Sequence, residues 1–92
     1  MLFAVRMTVN LPPDMDPDVR ASTLAAEKEY ARKLQHTGEW LHLWRCAGLY
    51  ANLSIFDVTD NDRLNEILWE LPLFAYLDIT VTPLARHASA IG

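Results

Sequence analysis

The stretch Leu2-Phe3-Ala4-Val5-Arg6-Met7-Thr8-Val9-Asn10-Leu11-Pro12-Pro13-Asp14-Met15-Asp16-Pro17 holds a strand, a stop and a helix start in direct succession. Phe3, Val5, Met7 and Val9 point one way and Ala4, Arg6 and Thr8 the other, the period of a strand with one buried face. The alternation runs from Met1 to Leu11, where Pro12 and Pro13, which cannot donate to a ladder, end it. Asp16 before Pro17 pairs an acidic N-cap with a proline at the first helical position, and no breaker follows until Gly38. One helix of about five turns is expected.

Beyond it, Trp40 to Tyr50 and Ala51 to Val58 read as two further strands, with Gly48 as a bend or bulge between or within them. Thr59 or Asp60 can cap a second helix, in which Leu64, Ile67, Leu68 and Leu71 recur at helical spacing before Pro72 stops it. Leu77, Ile79 and Val81 then alternate with Asp78, Thr80 and Thr82 as a last strand before Pro83, followed by a short tail to Gly92. The order strand, helix, strand, strand, helix, strand predicts an α+β, ferredoxin-like βαββαβ fold over residues 1–92, with two helices on one face of a four-stranded antiparallel sheet. On the other face the alternation places Ala4, Arg6, Thr8, Asn52, Ser54, Phe56, Asp78 and Thr80, a semi-polar surface either solvated or pressed against another subunit. With three tryptophans, three tyrosines and three phenylalanines to cover in so small a domain, a homo-oligomer is expected.

Ninety-two residues leave room for one domain, since a chain of this size buries only about 60 to 65% of its unfolded surface. A hydrophobic content of 51%, 22% charged residues and three glycines describe a packed globule. Arg6, Asp14, Arg45, Asp57 and Asp78 interrupt every apolar run well short of the roughly 18 residues of a membrane span, so no membrane partner is expected. The segment Met1 to Arg6 does not read as a secretory leader, and the expected location is cytoplasmic. A net charge of −4 without a cluster of Lys and Arg argues against nucleic acid as a partner. Cys46 has no intrachain disulfide partner, and His36, His42 and His87 are too scattered for metal ligation, so no metal is expected. There is no G-x-S-x-G elbow, glycine-rich phosphate loop or H-E-x-x-H.

Two features point to chemistry. Glu27 falls inside the apolar stripe Leu24, Ala31, Leu34 of the first helix, where a carboxylate must find a cation, reach out to water or accept a raised pKa. A raised pKa suits a base that removes a proton from carbon; pairing with Lys28 or Arg45, or a place at the stripe's rim, is the structural alternative. In Trp40-Leu41-His42-Leu43-Trp44-Arg45, strand parity groups Trp40, His42 and Trp44 on one face and Leu41, Leu43 and Arg45 on the other. Arg45 among leucines predicts a buried guanidinium paired with Glu27 or with a ligand carboxylate. His42 between tryptophans fits interface packing as well as a site, and Tyr50, Asn52 and Ser54 form a polar pocket wall or the outward side.

Several blocks then carry a family resemblance. Leu11-Pro12-x-Asp14-Met15-x-Pro17, Glu27-Lys28, Gly38-x-Trp40-x-His42-Leu43-Trp44-Arg45, Gly48-x-Tyr50-Ala51-Asn52-x-Ser54-Ile55-Phe56-Asp57-Val58 and Leu71-Pro72-Leu73-Phe74-x-Tyr76 resemble the muconolactone delta-isomerase family across essentially the whole chain. The resemblance implies a cofactor-independent enzyme of aromatic catabolism, assembled as a decamer, whose substrate partner is a small lactone. It moves the ring double bond of muconolactone by proton abstraction at C4. The implied roles are Glu27 as proton shuttle, Tyr50 or Asn52 as donor to the dienolate oxygen, Arg45 as holder of the substrate carboxylate, and Trp40, Trp44 and Phe74 as apolar walls, with His42 beside them. The chain departs from the family pattern at Asn65, Ala75 and the His87-Ala88-Ser89 tail. Those departures keep open a related chloromuconolactone dehalogenase, which would expel chloride after the same first step to give a dienelactone. A non-catalytic module that binds a small acid is a further alternative.

Overall fold

The computed structural model describes residues 1–92 and begins with strand β1 (Leu2–Val9) and helix α1 (Pro17–Thr37). Strands β2 (Trp40–Arg45) and β3 (Ala51–Asp57), helix α2 (Asn61–Glu70), a 3-10 turn (Phe74–Tyr76) and strand β4 (Leu77–Leu84) complete the order. The four strands pair antiparallel in the order β2-β3-β1-β4, the ferredoxin-like arrangement. No helix is long and apolar enough to cross a membrane.

Local chemistry accounts for the element ends. The Asp16 carboxylate accepts hydrogen bonds from the N–H groups of Asp18 and Val19, with Pro17 in the first turn of α1. Gly38 closes α1 at φ +88°, a left-handed conformation open to glycine, and its N–H donates to the Gln35 carbonyl. Asp60, rather than Thr59, caps α2 through the Arg63 N–H. Cys46 to Tyr50 form the turn between β2 and β3, so β2 is shorter than the alternation suggests. At the other end β4 continues through Pro83 to Leu84: β4 is an edge strand, where a residue without an N–H leaves no ladder bond unmade.

One core lies between sheet and helices, joining Phe3, Val5 and Met7 of β1 to Ala31 and Leu34 of α1 and Leu64, Ile67 and Leu68 of α2. The sheet's facing departs from the sequence expectation in β3. Asn52, Ser54 and Phe56 point toward the helices, because they pair in register with Met7, Val5 and Phe3, whose inward face is apolar without interruption. Leu53 and Ile55 therefore face outward, beside Ala4 and Arg6.

Strand β2 holds a β-bulge that reassigns its faces. Trp40 pairs with Phe56 and His42 with the adjacent Ile55, so Leu41 is an extra residue and the parity of the strand flips there. Trp40 is consequently not on the face of His42 and Trp44: it is 2% exposed and packs on Phe56 at 4.7 Å between ring centroids. Trp44 and His42 lie on the outer face, Trp44 at 62% exposure, whereas Leu43 and Arg45 share the face of Ser54 and Asn52.

Replacing Phe56 with Ala should cost about 3 to 5 kcal/mol in urea unfolding, the usual range for emptying a buried aromatic site. A loss below about 1 kcal/mol would mean that this side chain faces outward after all.

Candidate active site

Between α1 and the sheet lies a cavity of about 380 Å³, within the range of small-molecule sites and mostly apolar. Met7 and Val9 of β1 form its floor, Leu24, Glu27, Lys28 and Ala31 of α1 its roof, and Leu73 and Leu77 one side. Trp40, Leu43, Trp44 and Arg45 of β2, with Tyr50 and Asn52, close the other. The charged and polar residues in its lining are Glu27, Lys28, Arg45, Asn52 and Tyr50, with the indoles of Trp40 and Trp44. No three His, Cys, Asp or Glu side chains gather as metal ligands would.

Glu27 is half-buried and has no ion pair; the chain's ion pairs join the Met1 amino group to Asp57, and Arg63 to Glu39 and Glu66. Its partner is main chain, since the Leu73 N–H donates to Glu27 Oε2 at 2.9 Å. The chain downstream of α2 explains why that donor is available. Pro72 has no N–H, the Leu71 and Phe74 N–H groups donate to the Leu68 and Leu71 carbonyls, and Leu73 is left facing α1. Burial pushes the Glu27 carboxyl above the ordinary carboxylate range, and the Leu73 hydrogen bond, which favours the charged form, offsets this in part. The second carboxylate oxygen is free to take a proton.

Arg45 lines the cavity but is exposed rather than buried. It ends β2, an edge strand of the sheet, where a side chain can line the cavity and still meet water. The guanidinium stands 5.5 Å from the centre of the Tyr50 ring, a cation–π contact that leaves its hydrogen-bond donors free. Asn52 Oδ1 accepts a 2.7 Å hydrogen bond from the hydroxyl of Ser54, a residue with no solvent exposure.

Six of the eight expected site residues, Glu27, Arg45, Tyr50, Asn52, Trp40 and Trp44, border this cavity. Two do not. The bulge turns His42 to the outer face, where it stacks with Trp44 at 6.2 Å, and the 3-10 turn directs Phe74 onto Trp69 at 4.4 Å, away from the cavity. Leu73 takes the place expected of Phe74. Sequence reading missed Leu73 because its contribution is a backbone donor, although a proline just after a helix signals freed N–H groups. Lys28, which the sequence offers as a partner for Glu27, also has no ion pair.

Comparison with known proteins identifies the family. The family described as Muconolactone delta-isomerase matches residues 1–90. A Muconolactone Delta-isomerase of Rhodococcus opacus is 52% identical over 90 residues, covering 98% of this chain and 97% of its own length. The enzyme of the same name from Pseudomonas putida is 55% identical over 91 residues, covering 99% of this chain and 95% of its own. A crystal structure of muconolactone isomerase superposes with a TM-score of 0.96 at 54% identity, covering 100% of this chain and 96% of its own. These relatives are isomerases, and neither the dehalogenase nor the non-catalytic alternative is favoured.

The raised Glu27 pKa makes stability depend on pH. Between the ordinary value of 4.5 and the raised one, the folded chain binds more protons than the unfolded, so stability is fullest below that window and falls as pH rises through it. Glu27→Gln removes this loss. Thermal melts from about pH 4 to about pH 8 should show the variant gaining on the parent as pH rises through the window. A difference that stays constant with pH would contradict a raised Glu27 pKa.

Proposed function

Since the chain belongs to the muconolactone delta-isomerase family, we propose that it shifts the ring double bond of muconolactone to give 3-oxoadipate enol-lactone. The reaction moves one proton from C4 to the carbon alpha to the lactone carbonyl, through a dienolate, with no net transfer of electrons or groups. Base, acid and a stabiliser of negative charge on the carbonyl oxygen suffice to balance it.

In this reading Glu27 is the shuttle. Its free oxygen takes the C4 proton and, still held through the other by Leu73, returns it to the ring; the apolar cavity makes the carboxylate a stronger base than it would be in water. Asn52 or Tyr50 donates a hydrogen bond to the dienolate oxygen. Arg45, its donors uncommitted at the rim, holds the carboxymethyl arm of the substrate. Trp40 and Leu43 supply apolar wall, while the Trp44 side chain is turned to the outer face and meets the cavity only at its border. The observation that carries the proposal is an unpaired, half-buried carboxylate at the roof of a cavity of substrate size.

A cytoplasmic homo-oligomer, a decamer as the resemblance implies, belongs to the same proposal. Exposed Trp44 and Leu53, with Leu2 and Leu84, give the outer sheet face an apolar character that assembly would cover. Sedimentation equilibrium should then give ten times the 10.5 kDa subunit mass, and a monomer would refute the assembly.

For the reaction, Glu27→Gln should lower kcat for muconolactone by about 10² to 10⁴ while leaving KM near that of the parent. Turnover at the parent rate would rule out Glu27 as the base.

A further inference from the structure

We infer that Ser54 is a positioning residue, which sets the orientation of the Asn52 amide so that its NH2 group, not its carbonyl oxygen, is presented to the reacting lactone. The inference rests on the proposed role of Asn52 as donor to the dienolate oxygen. Ser54 does not border the cavity and has no solvent exposure, so it acts only through a neighbour. Asn52 and Ser54 stand two residues apart on β3, on the face turned to the helices.

The surroundings of Ser54 leave its hydroxyl one side-chain partner. Its cross-strand neighbours are Val5 on β1 and Leu43 on β2, which have no polar side-chain atoms, and its hydroxyl donates to Asn52 Oδ1 at 2.7 Å. A buried hydroxyl keeps such a bond because nothing else would replace it. With Oδ1 occupied on the side of Ser54, the two hydrogens of Nδ2 are the atoms left for the cavity that Asn52 lines.

The orientation matters because an amide has two faces of opposite sign. Negative charge accumulates on the lactone carbonyl oxygen as the C4 proton leaves, and a donor fixed beforehand stabilises that charge without reorganisation. The flipped amide would place a carbonyl oxygen against it instead. Ser54 thus selects the productive state while never touching substrate.

The test is a cycle of variants assayed with muconolactone, with melting temperatures recorded alongside. Asn52→Ala should lower kcat by about 10²-fold, the usual loss for one oxyanion donor. Ser54→Ala should lower kcat by about tenfold with KM within about twofold of the parent, since the donor remains but is no longer held. Ser54→Thr, which keeps the hydroxyl, should restore most of the loss. In the Asn52→Ala background, Ser54→Ala should cause no further loss, because the amide it orients is gone. Losses that multiply in the double variant, or a Ser54→Ala enzyme as fast as the parent, would overturn the inference while leaving Asn52 as donor intact. An Asn52→Ala enzyme with full kcat would instead overturn the donor assignment itself, and this inference with it.

Discussion

The hydrogen bond from the Leu73 main chain to Glu27 balances two opposing pressures on one carboxylate. Loss of water destabilises its charge and raises its proton affinity, while the single donor keeps the charge tolerable and the side chain in place. A full ion pair would have lowered the group's proton affinity, and loss of the Leu73 donor would have raised it further. The intermediate condition is what a base that must both accept and return a proton requires.

Holding that condition falls to elements some distance apart in the chain. The Asp16 cap starts α1 and Gly38 ends it, so that Leu24, Glu27 and Ala31 meet the sheet on one stripe. Pro72 ends the second helix and frees the donor. On the opposite wall, the bulge at Leu41 lets one short strand supply Trp40 to the core, Leu43 and Arg45 to the cavity, and His42 and Trp44 to the outer surface.

Much of this was legible in the residues. The alternation in β1, the Asp16-Pro17 start and the spacing of Leu64, Ile67 and Leu68 identify the elements and their order, because each rests on a local rule. The placing of Glu27 on an apolar stripe needed only helical periodicity. What was not legible depends on pairing between strands: a single inserted residue in β2 reverses the facing of His42 relative to Trp40, and the register with Phe3 turns Phe56 inward. The exposure of Arg45 was hidden for a related reason, since alternation assigns a face but not whether the strand lies at an edge. Leu73 could not be found from side-chain chemistry because its side chain is not what acts.

That Glu27 is steadied by main chain has a consequence for how position 73 of this chain can vary. Any residue that keeps an N–H at position 73 preserves the contact, and only proline abolishes it outright. An apolar side chain of different shape that still fills this buried site can therefore reshape the cavity wall without disturbing the alignment of the Glu27 carboxylate. Cavity shape and carboxylate placement become separately adjustable at a single codon.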